Sequence, residues 1–463
     1  MKIDDIKSVY FIGVGGIGMS ALARYFLANG KTVGGYDRTL SPLTVKLSEE
    51  GVPIHYEEMN LEDGLFHDFL DPATTLVVYT PAVPSDHAEL MYFREHGFEV
   101  LKRSQTLGLI TKSARGLCVA GTHGKTTTSS MIAHLLKQSA VDCNAFLGGI
   151  IKNYDSNLML SDRSDLTVIE ADEYDRSFHT LTPYMAVVTA ADPDHLDIYG
   201  TPAAYRESFE QFTSLIRPGG ALIIKKGVDI KPRLQDGVKM YTYSMTDRTA
   251  DFHAENIRVG NGEIVFDLEP FSINDVSLGV PVRINVENAV AAMAVALLNG
   301  VTPEEARAAI KTFAGAERRF DFQVKTDRVV YIDDYAHHPQ ELASAISSVR
   351  ELYVARRLTG IFQPHLYTRT RDFSDDFARA LSLLDRLILL DIYPAREEPI
   401  PNVTSEIIFD KVTIADKVLC HKDELMSLLE SEDLDVLMTL GAGDIDRFVE
   451  PIRNMLNDKY RTK

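Results

Sequence analysis

Residues 117–136, LCVAGTHGKTTTSSMIAHLL, predict a buried strand, a glycine turn and a helix in direct succession. The turn is close to a phosphate-binding loop, but the spacing G-x-x-x-x-G-K-[ST] requires a glycine at position 119, where this chain has Val119. We assign Val119 to the strand, because Gly121 and Gly124 can shape a shorter turn whose backbone N–H groups still form an anion-binding nest. The stretch therefore predicts a nucleotide site on an α/β sheet.

Lys125 and Thr126 follow the nest directly and give it a specific chemistry. The lysine would reach the β- and γ-phosphates of ATP, and the threonine hydroxyl would bind Mg²⁺. Residues 170–175 (EADEYD), here called the acidic segment, and residues 192–197 (DPDHLD) each follow a predicted strand. Because open α/β sheets bind ligands at the carboxyl ends of their strands, both segments predict further hard ligands for Mg²⁺. The alternative for most of these acids is that they only order a loop.

Predicted strands and helices alternate along the whole chain, which indicates parallel, doubly wound sheets. The pattern restarts near residue 106 and again near residue 315. We therefore predict an α/β protein of three domains, each built on a mostly parallel sheet. The ranges are 1–106 for a Rossmann-like domain, 107–314 for a central ATPase domain, and 315–463 for a second Rossmann-like domain.

The first predicted strand ends in GVGGIG at residues 13–18, and a helical run follows. Asp37 lies 19 residues after Gly18, at the end of the next predicted strand, which completes the dinucleotide fingerprint. The glycines let a diphosphate approach the backbone, and the helix N-terminus stabilises its charge. Any nucleotide diphosphate satisfies this pattern, and the alternatives are an NAD-dependent dehydrogenase or a tight turn without a ligand.

The composition is that of an ordinary water-soluble protein with an acidic surface. The chain has 48 Lys and Arg against 67 Asp and Glu, a net charge of −19, which argues against a nucleic-acid-binding protein. No apolar run reaches the roughly 20 residues of a membrane helix, and the N-terminus lacks a signal peptide. We therefore expect a cytoplasmic protein. The three cysteines have no zinc or disulfide spacing.

Six segments occur in the order found in one family of enzymes: GTHGKTT, EADEYDRSF, DHLDIYG, NVENAVAAMAVA, GAERRFDF and DDYAHHPQEL. On these segments the chain resembles the Mur ligases, the ATP-dependent amino-acid ligases of peptidoglycan synthesis, over essentially its whole length. The resemblance implies that the first domain binds a UDP-sugar, the second binds ATP, and the third closes over the site with the amino acid. The glycine turn would then hold the UDP diphosphate rather than NAD.

Within the family, GVGGIGMSALA, EADEYDRSF and FQPHLYTRTRDF are most similar to the branch that adds L-alanine to UDP-N-acetylmuramate. The resemblance implies that the lactyl carboxylate attacks ATP to give an acyl phosphate, which the amine of L-alanine then converts to an amide. A monomer or homodimer is expected. Two Mg²⁺ ions are expected as cofactors, and Mn²⁺ could replace them. The alternatives are the branch that recycles murein tripeptide, a dehydrogenase built on residues 9–37, and a non-catalytic nucleotide-binding regulator.

The resemblance also implies residue roles. Lys125, Glu170, His195 and Arg319 would carry catalysis, with Thr126 and Glu170 on the first Mg²⁺ and His195 on the second. The residues expected to contact ATP are Gly121, Thr122, His123, Gly124, Lys125, Thr126, Thr127, Asn285, Asn288, Arg319 and Asp334.

Two further sets belong to the other substrates. The residues expected at the UDP-sugar are Gly15, Gly16, Ile17, Gly18, Met19, Asp37, Thr80, Pro81 and Ala82. The residues expected at L-alanine are Tyr335, His337, His365 and Arg369, with Arg369 as the partner of the carboxylate.

Three positions depart from the sequences that the family often has. Ile284 stands where the family often has a histidine against adenine, and Ala190 stands where it usually has an asparagine. Phe209 stands where ligases that act later in the pathway carry a modified lysine, as expected for the alanine-adding branch. Arg318, the neighbour of Arg319, is interpreted as a surface ion pair.

Overall fold

The structure is a computed structural model that describes residues 2–57, 68–80, 82–260, 262–395 and 397–460. Tertiary contacts divide the chain into two compact units. The first comprises Met1–Glu255, Leu268–Asn274 and Glu287–Thr312, and the second comprises Asn256–Asp267, Asp275–Val286 and Phe313–Lys463. The described residues form three sheets, all mostly parallel and accompanied by helices, so the predicted fold class is confirmed.

The first sheet lies in the first unit. Its elements are β1 (Ser8–Ile12), α1 (Ile17–Ala28), β2 (Thr32–Tyr36), α2 (Pro42–Glu49), β3 (Ile54–His55), β4 (Thr75–Tyr79), α3 (Ala88–Glu95), β5 (Glu99–Lys102) and α4 (Arg103–Ser113). The strand order is β3-β2-β1-β4-β5, and all four pairings are parallel. β1 is buried at every position because it is an interior strand with an uninterrupted apolar sequence. The glycine turn therefore begins at the carboxyl edge of the sheet, next to the start of α1.

The second sheet begins with the strand of the phosphate loop. Its elements are β6 (Arg115–Ala120), α5 (Lys125–Lys137), β7 (Asn144–Ile151), β8 (Ser156–Met159), β9 (Leu166–Glu170), β10 (Pro183–Val188), α6 (Leu196–Tyr199), α7 (Pro202–Thr213), β11 (Ala221–Lys225), β12 (Lys239–Ser244), β13 (Phe252–Gly260), β14 (Glu263–Glu269), β15 (Ile273–Ser277), α8 (Arg283–Leu298) and α9 (Pro303–Thr312). The order is β15-β14-β13-β12-β11-β10-β6-β9-β7-β8. β6 lies between β9 and β10 and is parallel to both, so the phosphate loop and both acidic strand ends share one edge.

Within the first unit, the first sheet's helices pack directly on the second sheet. α1 contacts β7 and β8, and the Asn157 side chain donates a hydrogen bond to the carbonyl oxygen of Ile17 at 2.5 Å. α4 contacts the short 3₁₀ segment Tyr174–Thr180, which follows the acidic segment. The glycine turn and the acidic segment are therefore fixed relative to each other.

The third sheet belongs to the second unit. Its elements are β16 (Asp321–Lys325), β17 (Val330–Asp334), α10 (Pro339–Leu352), β18 (Leu358–Phe362), α11 (Tyr367–Asp372), α12 (Ser374–Leu381), β19 (Arg386–Leu390), α13 (Glu406–Phe409), β20 (Lys417–Cys420), α14 (Leu425–Ser431), β21 (Val436–Leu440) and α15 (Val449–Lys459). The order is β16-β17-β21-β18-β19-β20, and only the edge pairing of β16 with β17 is antiparallel among the described strands.

The three sheets fall inside the three predicted domain ranges, although the boundaries themselves stay predictions. The boundary at residue 106 lies inside α4. A capping box is present at the start of α9: the Thr302 backbone N–H donates to Glu305 at 3.0 Å, and the Glu305 N–H donates to the Thr302 hydroxyl. Within the described residues, no helix is both long enough and apolar enough to cross a membrane.

Candidate active site

The phosphate loop joins β6 to α5 through two glycines with positive φ. Gly121 has φ 147° and Gly124 has φ 81°. A Cβ at Gly121 would lie 2.0 Å from the Thr189 hydroxyl oxygen, so a larger residue cannot occupy this position without a shift. The Thr189 hydroxyl also donates to the carbonyl oxygen of His123 at 2.5 Å, which holds the loop backbone at His123 in place. No side chain caps α5 at Gly124, and its first turn carries no acid, so its N-terminal N–H groups suit an anion.

Lys125 is held above this loop by a buried carboxylate. Its Nζ donates to the carbonyl oxygen of Gly121 at 2.7 Å and to Glu173 Oε1 at 2.9 Å, and Glu173 Oε2 lies 2.8 Å away. Glu173 is only 2% exposed. Burial raises the pKa of Glu173, and the adjacent Lys125 ammonium partly offsets this effect. The ammonium expected to meet phosphate is therefore paired and oriented before any nucleotide is bound.

Thr126 and Glu170 come together as predicted for two ligands of one cation. The Thr126 hydroxyl donates to Glu170 Oε1 at 3.1 Å, and the backbone N–H of Gly148 donates to Glu170 Oε2 at 3.2 Å. β9 ends at Glu170, which explains how its carboxylate reaches the first turn of α5. Within the described ranges, no group of three or more His, Cys, Asp or Glu converges as a metal cluster.

Two other predicted positions are arranged differently. The Thr122 hydroxyl bonds the carbonyl oxygen of Asp192 at 2.7 Å and the Tyr205 hydroxyl at 2.9 Å, so it supports the loop. His195 has φ 50° at the start of α6, and its N–H donates to Asp194 Oδ1 at 2.7 Å. Among the described residues, no hydrogen bond or ion pair joins His195 to Thr126 or Glu170, and the Thr127 side chain makes no hydrogen bond.

The glycine turn of the first sheet is organised by Asp37. Its carboxylate accepts the backbone N–H of Gly15 at 2.7 Å and that of Thr39 at 2.9 Å, so it holds the turn. Gly16 caps α1 without a side-chain hydrogen bond. Thr80 lies against Gly13, where a Cβ would approach its Cγ2 to 2.6 Å.

The remaining predicted positions of this turn differ in exposure. Met19 is buried, Ile17 is exposed, and Ala82 is exposed, whereas Pro81 lies outside the described residues. Gly18 carries a close contact that the sequence did not indicate. A Cβ at Gly18 would lie 2.8 Å from Arg103 Nη1, so a guanidinium packs on the backbone at the start of α1.

Arg318 and Arg319 have different roles in the second unit. Arg318 Nε donates to Asp333 Oδ2 at 3.0 Å, and its Nη2 donates to the carbonyl oxygen of Gly441 at 2.6 Å. Asp333 is fully buried, so the interpretation of Arg318 as a surface ion pair is wrong. Arg319 makes no hydrogen bond or ion pair through its guanidinium within the described chain, and lies over the Tyr335 ring at 5.2 Å.

Asp334 is already engaged by the backbone. Its Oδ2 accepts the N–H of Phe320 at 2.7 Å, and its Oδ1 accepts the N–H of Ala336 at 2.8 Å. Burial raises the pKa of Asp334 to about 6, although the nearby Arg319 charge opposes the shift. The carboxylate thus shapes the segment that presents Arg319 and Tyr335.

The residues predicted for L-alanine lie near one another at the carboxyl ends of β17 and β18. The His337 ring lies 5.3 Å from Tyr335 and 6.0 Å from His365. Burial lowers the pKa of His337, and the positive charge of Arg369 lowers it further, although Glu341 raises it. Arg369 Nη1 is buried and has no hydrogen-bond partner in the described chain. An orphaned guanidinium N–H of this kind fits a ligand carboxylate.

The two asparagines on α8 are buried. Asn288 Oδ1 accepts the Thr128 hydroxyl at 3.2 Å, and lies 3.0 Å from the Cβ position of Gly124. Asn285 Nδ2 donates to the carbonyl oxygen of Val280 at 3.2 Å. Asn288 is therefore next to the phosphate loop, whereas Asn285 supports the start of its own helix.

Sequence reasoning missed three residues that shape these sites: Glu173, Thr189 and Arg103. Glu173 was seen only as one of several acids in the acidic segment, and no pattern distinguishes which acid turns inward. Thr189 follows β10 directly, and strand-end position is the signal that could have found it. Arg103 begins α4 immediately after β5, at the same edge as the glycine turn.

Comparison with known proteins gives three consecutive family matches. Residues 8–115 match the description "Mur ligase family, catalytic domain". Residues 119–296 match "Mur ligase middle domain", and residues 318–443 match "Mur ligase, glutamate ligase domain".

Full-length relatives agree with these matches. The chain is 67% identical to the UDP-N-acetylmuramate–L-alanine ligase of Parabacteroides distasonis over 100% of both chains. It is 62% identical to the ligase of the same name from Phocaeicola vulgatus, over 99% of this chain and 100% of the relative. Among solved structures, the UDP-N-acetylmuramate–alanine ligase of Thermotoga maritima superposes with a TM-score of 0.80 at 26% identity, over 98% of this chain and 99% of that chain. On this evidence of sequence and fold, the chain belongs to the Mur ligase family.

Proposed function

We propose that this protein joins L-alanine to the lactyl carboxylate of UDP-N-acetylmuramate, with cleavage of ATP to ADP and phosphate, in peptidoglycan precursor synthesis. The observation that carries this proposal is the 67% identity, over the full length of both chains, to a ligase named for that reaction. The reaction places the enzyme with its ATP and UDP-sugar in the cytoplasm. A monomer or homodimer stays a prediction.

The chemical problem is to bring two anions together. The carboxylate oxygen of the UDP-sugar attacks the γ-phosphorus, ADP leaves, and an acyl phosphate forms. The amine of L-alanine then attacks the acyl carbon, loses a proton and expels phosphate. Positive charge held in place before the reaction lowers the barrier of the first step most directly. Lys125 would stabilise the charge on the transferring phosphoryl group, and Arg319, whose guanidinium has no hydrogen bond or ion pair in the described chain, would contact the phosphates.

Mg²⁺ is the second source of positive charge that the family uses. The hydroxyl of Thr126 and the carboxylate of Glu170 are hard oxygen donors 3.1 Å apart, so this pair fits a first ion. His195 would serve a second ion. Bound magnesium would shield the phosphate charge, and waters would fill most of its coordination positions, as is usual for this ion.

ATP would be bound mainly by groups near the N-termini of α5 and α8. The N–H groups of Gly121 and of His123 to Thr127 would cradle the phosphates. Thr122 would shape the loop around them, because its own N–H donates to the carbonyl oxygen of Ala190 at 3.3 Å. Asn288 lies beside this loop and would contact the nucleotide. Asn285 and Asp334 would contact ATP as the family pattern implies, and both also hold backbone in place.

The UDP-sugar diphosphate would lie at the glycine turn. The uncapped start of α1 supplies backbone N–H groups at Gly16 to Gly18, and Arg103 supplies a cation beside Gly18. Gly15 and Met19 flank these donors, and their own N–H groups donate to Asp37 and to the carbonyl oxygen of Gly16. Asp37 is engaged by two backbone N–H groups but retains lone pairs for a sugar or ribose hydroxyl. Thr80, Pro81 and Ala82 would line the pocket.

L-alanine would be held in the second unit. The buried Nη1 of Arg369 supports a carboxylate contact at this position. Tyr335, His337 and His365 would line the same L-alanine site, and the lowered pKa of His337 favours a neutral ring near the amine. A neutral ring has a nitrogen lone pair that can accept a proton from the ammonium, which an imidazolium lacks.

An amino-acid panel in a phosphate-release assay tests the function. With UDP-N-acetylmuramate, ATP and Mg²⁺ present, phosphate release should depend on L-alanine, with weaker responses to glycine and L-serine, because one methyl group contributes only about 1–3 kcal/mol to discrimination. Release that responds only to a tripeptide would select the recycling branch. A change in NADH absorbance without phosphate release would support the dehydrogenase.

A further inference from the structure

The acidic segment carries a buried carboxylate, Glu173, that has no role in the reaction described above and is paired with Lys125. Both carboxylate oxygens of Glu173 lie within 2.9 Å of Lys125 Nζ. The Lys125 side chain is itself only 16% exposed, so the pair is shielded from water. A Glu side chain at this depth is rare unless it has such a partner.

The backbone around Glu173 fixes the position of this carboxylate. The Tyr199 hydroxyl donates to the Glu173 carbonyl oxygen at 2.5 Å, and the backbone N–H of Arg176 donates to the same oxygen at 3.0 Å. The N–H of Phe178 donates to the carbonyl oxygen of Asp172 at 2.9 Å. The backbone of Glu173 is therefore held in place. Lys125, in contrast, carries its ammonium on a flexible four-carbon stem, which needs a partner to fix its position.

We propose that Glu173 is a positioning residue for Lys125: its carboxylate holds the ammonium against the Gly121 carbonyl and leaves one N–H directed at the phosphate nest. An ammonium has three N–H donors, and Glu173 and the Gly121 carbonyl accept two of them. The third remains for an oxygen of the transferring phosphoryl group. The inference rests on one part of the proposed function, namely that Lys125 contacts the phosphates of ATP.

Charge separates this role from a simple contribution to ATP binding. Glu173 brings a negative charge close to the polyphosphate, which opposes binding of ATP in the ground state. Its benefit arises only when Lys125 must meet charge that develops in the transition state. Removal of the charge is therefore expected to lower kcat while the KM for ATP stays the same or falls.

The experiment compares Glu173→Gln with Asp175→Asn in the phosphate-release assay. Asp175 is a neighbouring carboxylate of the same segment, but it pairs with Lys102 at 3.1 Å, and asparagine tolerates its positive φ. We expect kcat to fall about 10- to 100-fold in Glu173→Gln and to stay within about twofold in Asp175→Asn. The KM for ATP should not rise in either variant.

A double variant distinguishes positioning from a general structural effect. In a Lys125→Ala background, Glu173→Gln should cause no further loss of kcat, since Glu173 acts only through the ammonium. Wild-type kcat in Glu173→Gln, or an equal loss in both backgrounds, would overturn the proposal. The wild-type rate in the same assay reports on the proposed function, so the two ideas fail separately.

Discussion

Replacement of Arg369 with methionine is expected to weaken L-alanine binding while leaving the ATP reaction largely intact. Arg369 Nη1 is buried and has no hydrogen-bond partner in the described chain, so this donor is available to a ligand. Methionine retains an unbranched apolar stem and removes the guanidinium. The variant therefore tests the charge-assisted contact rather than the packing of α11.

The size of the effect follows from the kind of contact that is lost. A hydrogen bond to a charged group contributes about 1.5–3 kcal/mol, and each 1.4 kcal/mol is a factor of ten. The KM for L-alanine should therefore rise about 10- to 150-fold. Because the carboxylate is bound in both the ground state and the transition state, kcat should change by only a few-fold.

The assay is phosphate release at saturating ATP and UDP-N-acetylmuramate, with L-alanine varied. Arg371→Met is the matched control, because Arg371 lies on the same helix, is 52% exposed and pairs with Asp372. It should leave the KM for L-alanine unchanged. An unchanged KM for L-alanine in Arg369→Met, or a rise in the KM for ATP alone, would refute the placement of the carboxylate.

Three further outcomes follow from the structure. Lys125→Ala should lower kcat by about 100-fold or more in the folded protein, and near-normal turnover would contradict its role in charge stabilisation. Its unfolding midpoint should also fall, because the buried Glu173 carboxylate loses its partner. Burial lowers the pKa of His134 from 6.5 to about 4, so below pH 6.5 the unfolded chain takes up a proton that the native chain does not. In urea titrations, the unfolding free energy of the wild type should therefore fall by about 2 kcal/mol between pH 7 and pH 5 because of His134, and His134→Gln should not show this loss. If the unfolding free energies of the two proteins changed equally with pH, His134 would not be the cause. Glu305→Ala removes the capping box and should lower the unfolding midpoint in urea, and an unchanged midpoint would contradict a stabilising cap.

The order of strands and helices could be predicted where apolar runs are long and end at glycines. β1 and β6 are predicted in this way, because interior parallel strands are buried on both faces and have a continuous apolar sequence. β7 and β8 were missed: Asn144–Ile151 contains two glycines, and Ser156–Met159 is too short to show a period. The antiparallel edge strand β16 has mixed polarity and gave no clear signal.

The sequence predicts a set of candidate site residues, but it does not predict which side chains and backbone groups they contact. Sequence spacing brings Thr126 and Glu170 to one sheet edge, and the structure pairs them. Which acid of the acidic segment faces Lys125 depends on the backbone at Asp175 and Arg176, where positive φ values turn the chain, and no local pattern specifies that turn. Similarly, Asp334 was expected at ATP, and its bonds to backbone N–H groups depend on the fold of a distant segment.

The most direct test of the account follows the oxygen atoms. UDP-N-acetylmuramate labelled with oxygen-18 in the lactyl carboxylate is incubated with the wild-type enzyme, ATP, Mg²⁺ and L-alanine. The masses of the products are then measured by mass spectrometry. The account predicts a UDP-sugar joined to one alanine, and phosphate that carries one labelled oxygen from the acyl phosphate. Unlabelled phosphate, or phosphate release without the alanine adduct, would contradict it.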